Sequence, residues 1–287
     1  MWSQISALAA FFFFALSLKF WQISQPTTQA EEGAGRSFVA FRLTNALAWL
    51  SVASYASLDA SKYMRSGEEF DAVMTLFFVA FSALVCFLLA TRFSQSERTF
   101  FTLTKVALLA SVVYFSFAEI LALKNALIYA NTYAVSSLLN ALNIPTYTEY
   151  PAYIYSKSAT FHEIYKPIEI ILACTAIQSV ALFAGLTLGV SAPARRRVKA
   201  FLVSVPTILA LNLLRNVFVC AAYFLNLFGS TPIDSFDIAH NIIARIFVLF
   251  SLILIAYAVF IFLPEALNFI DNFLKLVFRP SSIKSSE

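Results

Sequence analysis

A chain of 287 residues that is 60% hydrophobic and only 13% charged cannot hide its apolar surface in a water-soluble globule, where about a quarter of residues are charged. Its net charge of +4 does not suggest nucleic-acid binding, because the positive residues sit in the connections between apolar runs. Cys86, Cys174 and Cys220 all lie inside apolar runs, which excludes a disulfide framework and lacks the paired spacing of a zinc site. No metal and no cofactor is expected. A segment that crosses a bilayer must satisfy its own backbone polar groups, and helices do so. The fold class is therefore an all-α integral membrane protein.

The apolar runs predict about seven transmembrane helices in a single bundle. Residues 3–21, centred on Phe11 to Phe14, have no Lys or Arg before them and are expected to be a retained span, not a cleaved signal. A polar connection with Pro26, Glu31, Glu32 and Arg36 leads to the second span, 38–58. The third, 72–90, follows a charged loop. The fourth, 106–129, carries Glu119 and Lys124, which read as structural. Residues 130–167 form the longest connection, an extracellular loop. Its first part, Tyr133 to Leu142, suits a short interfacial helix. Its second part holds Tyr147, Tyr150, Tyr153, Tyr155 and Tyr165, suited to the membrane–water interface or to a lid. The fifth span is 168–190, the sixth 198–224 with a bend at Pro206, and the seventh 240–263. Residues 264–287 are expected to be a cytoplasmic amphipathic tail. The lack of an internal repeat weighs against a secondary transporter.

Lys and Arg in short loops mark the cytoplasmic side. Connections after spans two, four and six hold four such residues, Lys62, Arg65, Lys157 and Lys166, whereas the other connections and the tail hold eleven. The basic run Arg195 to Lys199 contributes most to that difference. The N-terminus is therefore expected outside and the C-terminus in the cytoplasm. On that orientation Cys174 would lie roughly 10 Å below the outer surface of span five, at about 1.5 Å per helical residue. Arg215 on span six and His240 at the start of span seven would fall at similar depth.

An arginine within a span costs several kcal/mol, so Arg215 points to function before structure. Asn212, Arg215 and Asn216 fall at i, i+3 and i+4 and form one polar helix face. A lone intramembrane cysteine is usually a small buried hydrophobe, and Cys86 and Cys220 read so. Cys174 differs in its company, because a nucleophilic thiolate needs a nearby base or cation. His240, beside Asn241, would take the thiol proton and later protonate the leaving amine. Arg215, with Asn212 or Asn216, would hold the thiolate or stabilise the oxyanion. Arg245 is an alternative cation for the third role, and His162 in the long loop is held in reserve. The chemistry implied is acyl transfer on a peptide bond. A transporter or channel with an Arg-lined path is the competing class.

The stretches Ala173-Cys174-Thr175-Ala176-Ile177-Gln178-Ser179, Asn212-Leu213-Leu214-Arg215-Asn216 and Ala239-His240-Asn241 resemble the exosortase/archaeosortase family, its archaeosortase branch above all. That resemblance is closest from about Glu169 to Pro264. It implies a multi-spanning cysteine transpeptidase that cleaves a C-terminal sorting signal of secreted, membrane-anchored proteins such as surface-layer glycoproteins. The signal would be a short motif of Pro-Gly-Phe type, an apolar span and a basic cluster. The new C-terminus would pass to a membrane lipid, and the active site would face the extracellular side of the cell membrane. By position the resemblance makes Cys174 the nucleophile, Arg215 the transition-state cation and His240 the third member, with Arg245 its alternative. Relatives often carry glycine where this chain has Ala176.

Overall fold

The computed structural model describes residues 2–24, 31–67 and 69–278. The expected connection at 25–30 and the end of the tail, 279–287, lie outside the described residues. The chain is mainly helical. Among the described residues, five helical stretches are long and apolar enough to cross a membrane: Trp2–Ser24, Asp71–Thr91, Glu97–Glu119, Ala194–Leu225 and Pro232–Phe262. The chain divides into two compact units.

The first unit holds residues 1–112, 188–192 and 264–287. It contains α1 (Trp2–Ser24), α2 (Glu31–Ser66), α3 (Glu69–Thr91), the first part of α4 (Glu97–Glu119), and α11 (Pro264–Phe278). Large rings lock α1 to α2: Phe14 meets Trp49 edge-on at 5.4 Å, and Trp21 packs on Phe41 and stacks on Phe101 of α4. Arg42 of α2 donates to the last carbonyls of α3, Leu89 O at 3.2 Å and Ala90 O at 2.9 Å, which pairs a cation with a helix C-terminus. The expected second span lies inside a 36-residue helix. In α11, the ring of Phe273 packs on Phe81, and the Leu276 carbonyl accepts from Arg92.

The second unit holds residues 113–187 and 193–263. Here the helices are α5 (Leu121–Ala141), α6 (Ala159–Ile164), most of α7 (Ile177–Gly189), α8 (Ala194–Leu225), α9 (Pro232–Asp237) and α10 (Ala244–Phe262). A π-helical turn, Ile238–Ile243, joins α9 to α10. The unit also has a small antiparallel sheet in the order β1 (Thr146–Glu149), β2 (Tyr153–Ser156), β3 (Ile168–Glu169). Asn140 at the end of α5 anchors the sheet, donating to Thr146 O and accepting from Thr146 N, each at 3.0 Å. One sheet face, with Thr146, Ile154 and Ile168, is buried against Ile128, Val135 and Leu139 of α5 and Val217 of α8.

Four expectations are corrected. The stretch 106–129 is not one helix: α4 ends at Glu119, the backbone is extended at Ile120 (φ −90°, ψ 103°), and α5 runs on to Ala141, taking in the expected interfacial helix. The loop 130–167 is largely ordered into α5, a hairpin and α6. The stretch 168–190 is helical only from Ile177, because its first third is β3 and a 3-10 turn. The last long helical stretch begins at Pro232, eight residues before His240, where a capping box between Thr231 and Asp234 satisfies the first free amides of α9.

Candidate functional site

Pro167 cannot continue a helix from its own amide, and the β-branched residues Ile168, Ile170 and Ile171 that follow favour extended backbone. The chain therefore enters the apolar run as strand β3. It then tightens into the 3-10 turn Leu172–Thr175, closed by Cys174 N–H donating to Ile171 O at 2.9 Å and Thr175 Oγ1 donating to Leu172 O at 2.7 Å. Ala176 ends the turn in the left-handed region at φ 57°. An L-residue there carries a steric cost that glycine escapes. After this step α7 begins.

The left-handed step takes the Cys174 carbonyl out of helical register. Two side chains of α8 receive it: Asn212 Nδ2 and Asn216 Nδ2 each donate to Cys174 O at 2.8 Å. Both asparagines are buried. Asn216 Nδ2 also donates to Asn131 Oδ1 of α5 at 3.0 Å, and its own Oδ1 accepts from Arg215 Nη1 at 3.2 Å. Three amides and a guanidinium from α5 and α8 thus hold one backbone turn. Among the described residues, the buried Nε of Arg215 has no hydrogen-bond partner. A half-buried cation with a buried, uncommitted donor is poised for an anionic or strongly polar ligand. Cys174 itself is half-buried, against the apolar cluster that includes Ile170, Val217 and Cys220. This placement replaces the expected position two turns inside a helix.

His240, Asn241 and Arg245 form a second constellation on the π turn and the first turn of α10. π turns inserted into α-helices recur at functional sites. Arg245 Nη2 donates to Asn241 Oδ1 at 3.0 Å, and His240 Nδ1 lies 3.2 Å from the same oxygen. Asn241 Nδ2 points toward Asp237 Oδ1, at 3.5 Å, which fits the same amide orientation. An amide oxygen only accepts, so the neutral imidazole carries its proton on Nδ1 and keeps its lone pair on Nε2. The imidazole stacks on Phe236 at 5.1 Å and 7°. Phe236 and Cys174 each pack against the same apolar cluster.

Of the residues singled out in the sequence, Arg215, Asn212 and Asn216 meet at the Cys174 turn, and the two candidates for the third role, His240 and Arg245, meet on one side-chain oxygen. His162 lies in α6. Cys220 is buried in the apolar cluster and Cys86 lies on α3 of the first unit. Asn131 was not among the candidates. Its only sequence signal is a polar side chain in the middle of a mainly apolar run. Among the described residues no group of three or more His, Cys, Asp or Glu is placed to hold a metal.

The sequence model of the transmembrane exosortase family matches residues 2–257 of this chain. Archaeosortase A of Haloferax volcanii is 37% identical over 123 residues, covering 38% of this chain and 41% of the relative. Archaeosortase A of Natronomonas pharaonis is 25% identical over 196 residues, covering 61% of this chain and 62% of the relative. The chain thus spans less than two thirds of the length of either curated relative. No solved structure matches it.

Proposed function

The chain belongs to the transmembrane exosortase family, and we propose that it is a multi-pass cysteine transpeptidase acting on C-terminal sorting signals of secreted surface proteins. The carrying observation is that Asn212 and Asn216, which flank Arg215 on α8, both hold the carbonyl of Cys174. A thiol and a half-buried guanidinium are thereby tied to one short stretch of backbone. In this scheme the Cys174 thiolate attacks the scissile carbonyl carbon. The carbonyl oxygen becomes an oxyanion, and the uncommitted Arg215 N–H stabilises it. His240 takes the thiol proton at Nε2 and returns it to the departing amine as the C–N bond breaks, leaving a thioester on Sγ. Arg245, sharing Asn241 with His240, is the alternative for the third role.

The signal is proposed to be of Pro-Gly-Phe type, followed by an apolar span and a basic cluster. A membrane lipid nucleophile then attacks the thioester, forms the new acyl bond and frees the thiol. With the N-terminus outside and the C-terminus in the cytoplasm, as the loop charges favour, the site opens toward the extracellular side. The test is to trap the acyl-enzyme and read its mass. The adduct is expected on Cys174 and absent from Cys174→Ala. Normal processing of the surface protein by a membrane-inserted Cys174→Ala chain would overturn the scheme.

A further inference from the structure

Strand β3 runs directly into the Cys174 turn, and its backbone polar groups are not all used by the sheet. Its register on β2 pairs Ile154 with Ile168 and Tyr153 with Glu169, and Ile170 N–H donates to Ala152 O at 2.8 Å. Antiparallel ladders alternate between residues that exchange hydrogen bonds and residues that do not. Ile168 and Ile170 are therefore the bonded positions. Glu169 between them turns its N–H and C=O away from β2. The Glu169 residue is exposed, β3 ends the sheet, and no hydrogen bond outside the sheet reaches either group among the described residues. An edge with an open donor and acceptor is a template for one more strand.

We infer that β3 receives the substrate of the Cys174 site as an added strand, pairing the backbone of an extended peptide with Glu169. This rests on Cys174 as the nucleophile proposed above. The placement suits a peptide enzyme for two reasons. A chain paired at Glu169 lies five positions from Cys174 along a segment fixed by the sheet and by the Cys174 turn, so its carbonyl is presented by backbone bonds that ignore side-chain identity. Selectivity then comes from the exposed sheet face. Tyr153 sits opposite Glu169 on that face. Beyond it Tyr147 stacks on Tyr155 at 5.0 Å and 11°, and Tyr155 lies 6.4 Å from Tyr153. Aromatic faces of this kind receive proline and aromatic rings, so the occupant is an extended peptide bearing such a side chain.

The edge is tested without disturbing the ladder. Glu169→Pro removes the outward N–H and no β2–β3 bond, and Ile168 before it is already extended, as a residue before proline prefers. The probe is a synthetic peptide with a Pro-Gly-Phe segment and an apolar tail, cleaved by the full-length chain in proteoliposomes. Glu169→Ala, which keeps the outward N–H, is the reference against which the proline variant is read. Glu169→Pro is expected to lower kcat/KM about fivefold, mostly through KM, the effect of one net backbone hydrogen bond. Its rate of Cys174 alkylation by a maleimide should stay unchanged, which reports an intact turn. A second measurement leaves the protein untouched. Replacing single peptide amides by esters should reproduce the loss at the one position that pairs with Glu169, and nowhere else on that side of the scissile bond. Wild-type cleavage by Glu169→Pro, or a flat ester scan, would overturn the strand-addition proposal while leaving the nucleophile in place. Cleavage by Cys174→Ala would overturn both.

Discussion

Replacing Asn212 and Asn216 by alanine, singly and together, separates a backbone clamp from a set of independent polar contacts. Both amides end on one acceptor, Cys174 O, at 2.8 Å, and both side chains are buried, 8% and 4% exposed. Asn212→Ala removes one bond and leaves the carbonyl its second donor. The expected loss is about 1 kcal/mol by soluble-protein values, or about 0.6 by membrane-protein cycles. Asn216→Ala removes the same kind of bond and also unpairs Asn131 Oδ1 and the Arg215 Nη1–H. A bond to a charged group contributes about 1.5–3 kcal/mol, so this variant is expected to lose about 2–4 kcal/mol. The double variant strips the carbonyl of both side-chain donors, so neither can compensate for the other, and a carbonyl left short of donors costs about 1–3 kcal/mol. Its loss should therefore exceed the sum of the singles by about 1 kcal/mol or more. Unfolding in bicelles gives the stabilities, and maleimide alkylation of Cys174 gives the order of the turn. Independent sites add within about 0.5 kcal/mol. Additivity within that margin, with an unchanged alkylation rate in the double variant, would refute the shared-acceptor geometry.

Three further outcomes are expected. Ala176→Gly relieves a left-handed alanine at φ 57°, about 1–2 kcal/mol, against a glycine entropy cost of about 0.5–1. The variant should melt at or above the wild-type temperature and keep its activity, whereas Ala176→Val should lose both. Gly189→Ala would bring a Cβ within 2.8 Å of the Val106 backbone, and overpacking of this kind costs about 1–3 kcal/mol, seen as a lower melting temperature in detergent. Arg215→Lys keeps the charge but loses the planar fork that reaches Asn216 while leaving Nε uncommitted. Processing of the surface protein should fall at least about a hundredfold, the usual cost of one oxyanion donor. Wild-type processing would show that charge alone suffices.

The membrane class was legible because it depends on composition, and most of the long helices because they depend on uninterrupted apolar runs. The errors came where hydropathy cannot report backbone form. Residues 168–190 are apolar throughout, so a window sees one span. The run Ile168, Ile170 and Ile171 after Pro167, and the alternation in Thr146-Tyr147-Thr148 and Tyr153-Ile154-Tyr155, carried the strand signal at period two. A tyrosine-rich stretch between spans reads equally well as an interfacial loop, which masks those strands. The interruption at Ile120 has no local mark, since neither glycine nor proline stands there.

The site was legible to the extent that its members repeat at helical spacing. Asn212, Arg215 and Asn216 declare a polar face from sequence alone, but not what it faces. Their target is a main-chain carbonyl that no side-chain pattern encodes, exposed by the left-handed step at Ala176. Asn131 lies 85 positions from Asn216, so only tertiary structure pairs them. His240 and Arg245 looked like rivals for one role, yet they share the Asn241 oxygen. Removing either changes what the other is bonded to. Loss of activity in one single variant therefore cannot assign the role to that residue. The pair has to be read as a unit, with Asn241 fixing the imidazole tautomer and Arg245 holding Asn241.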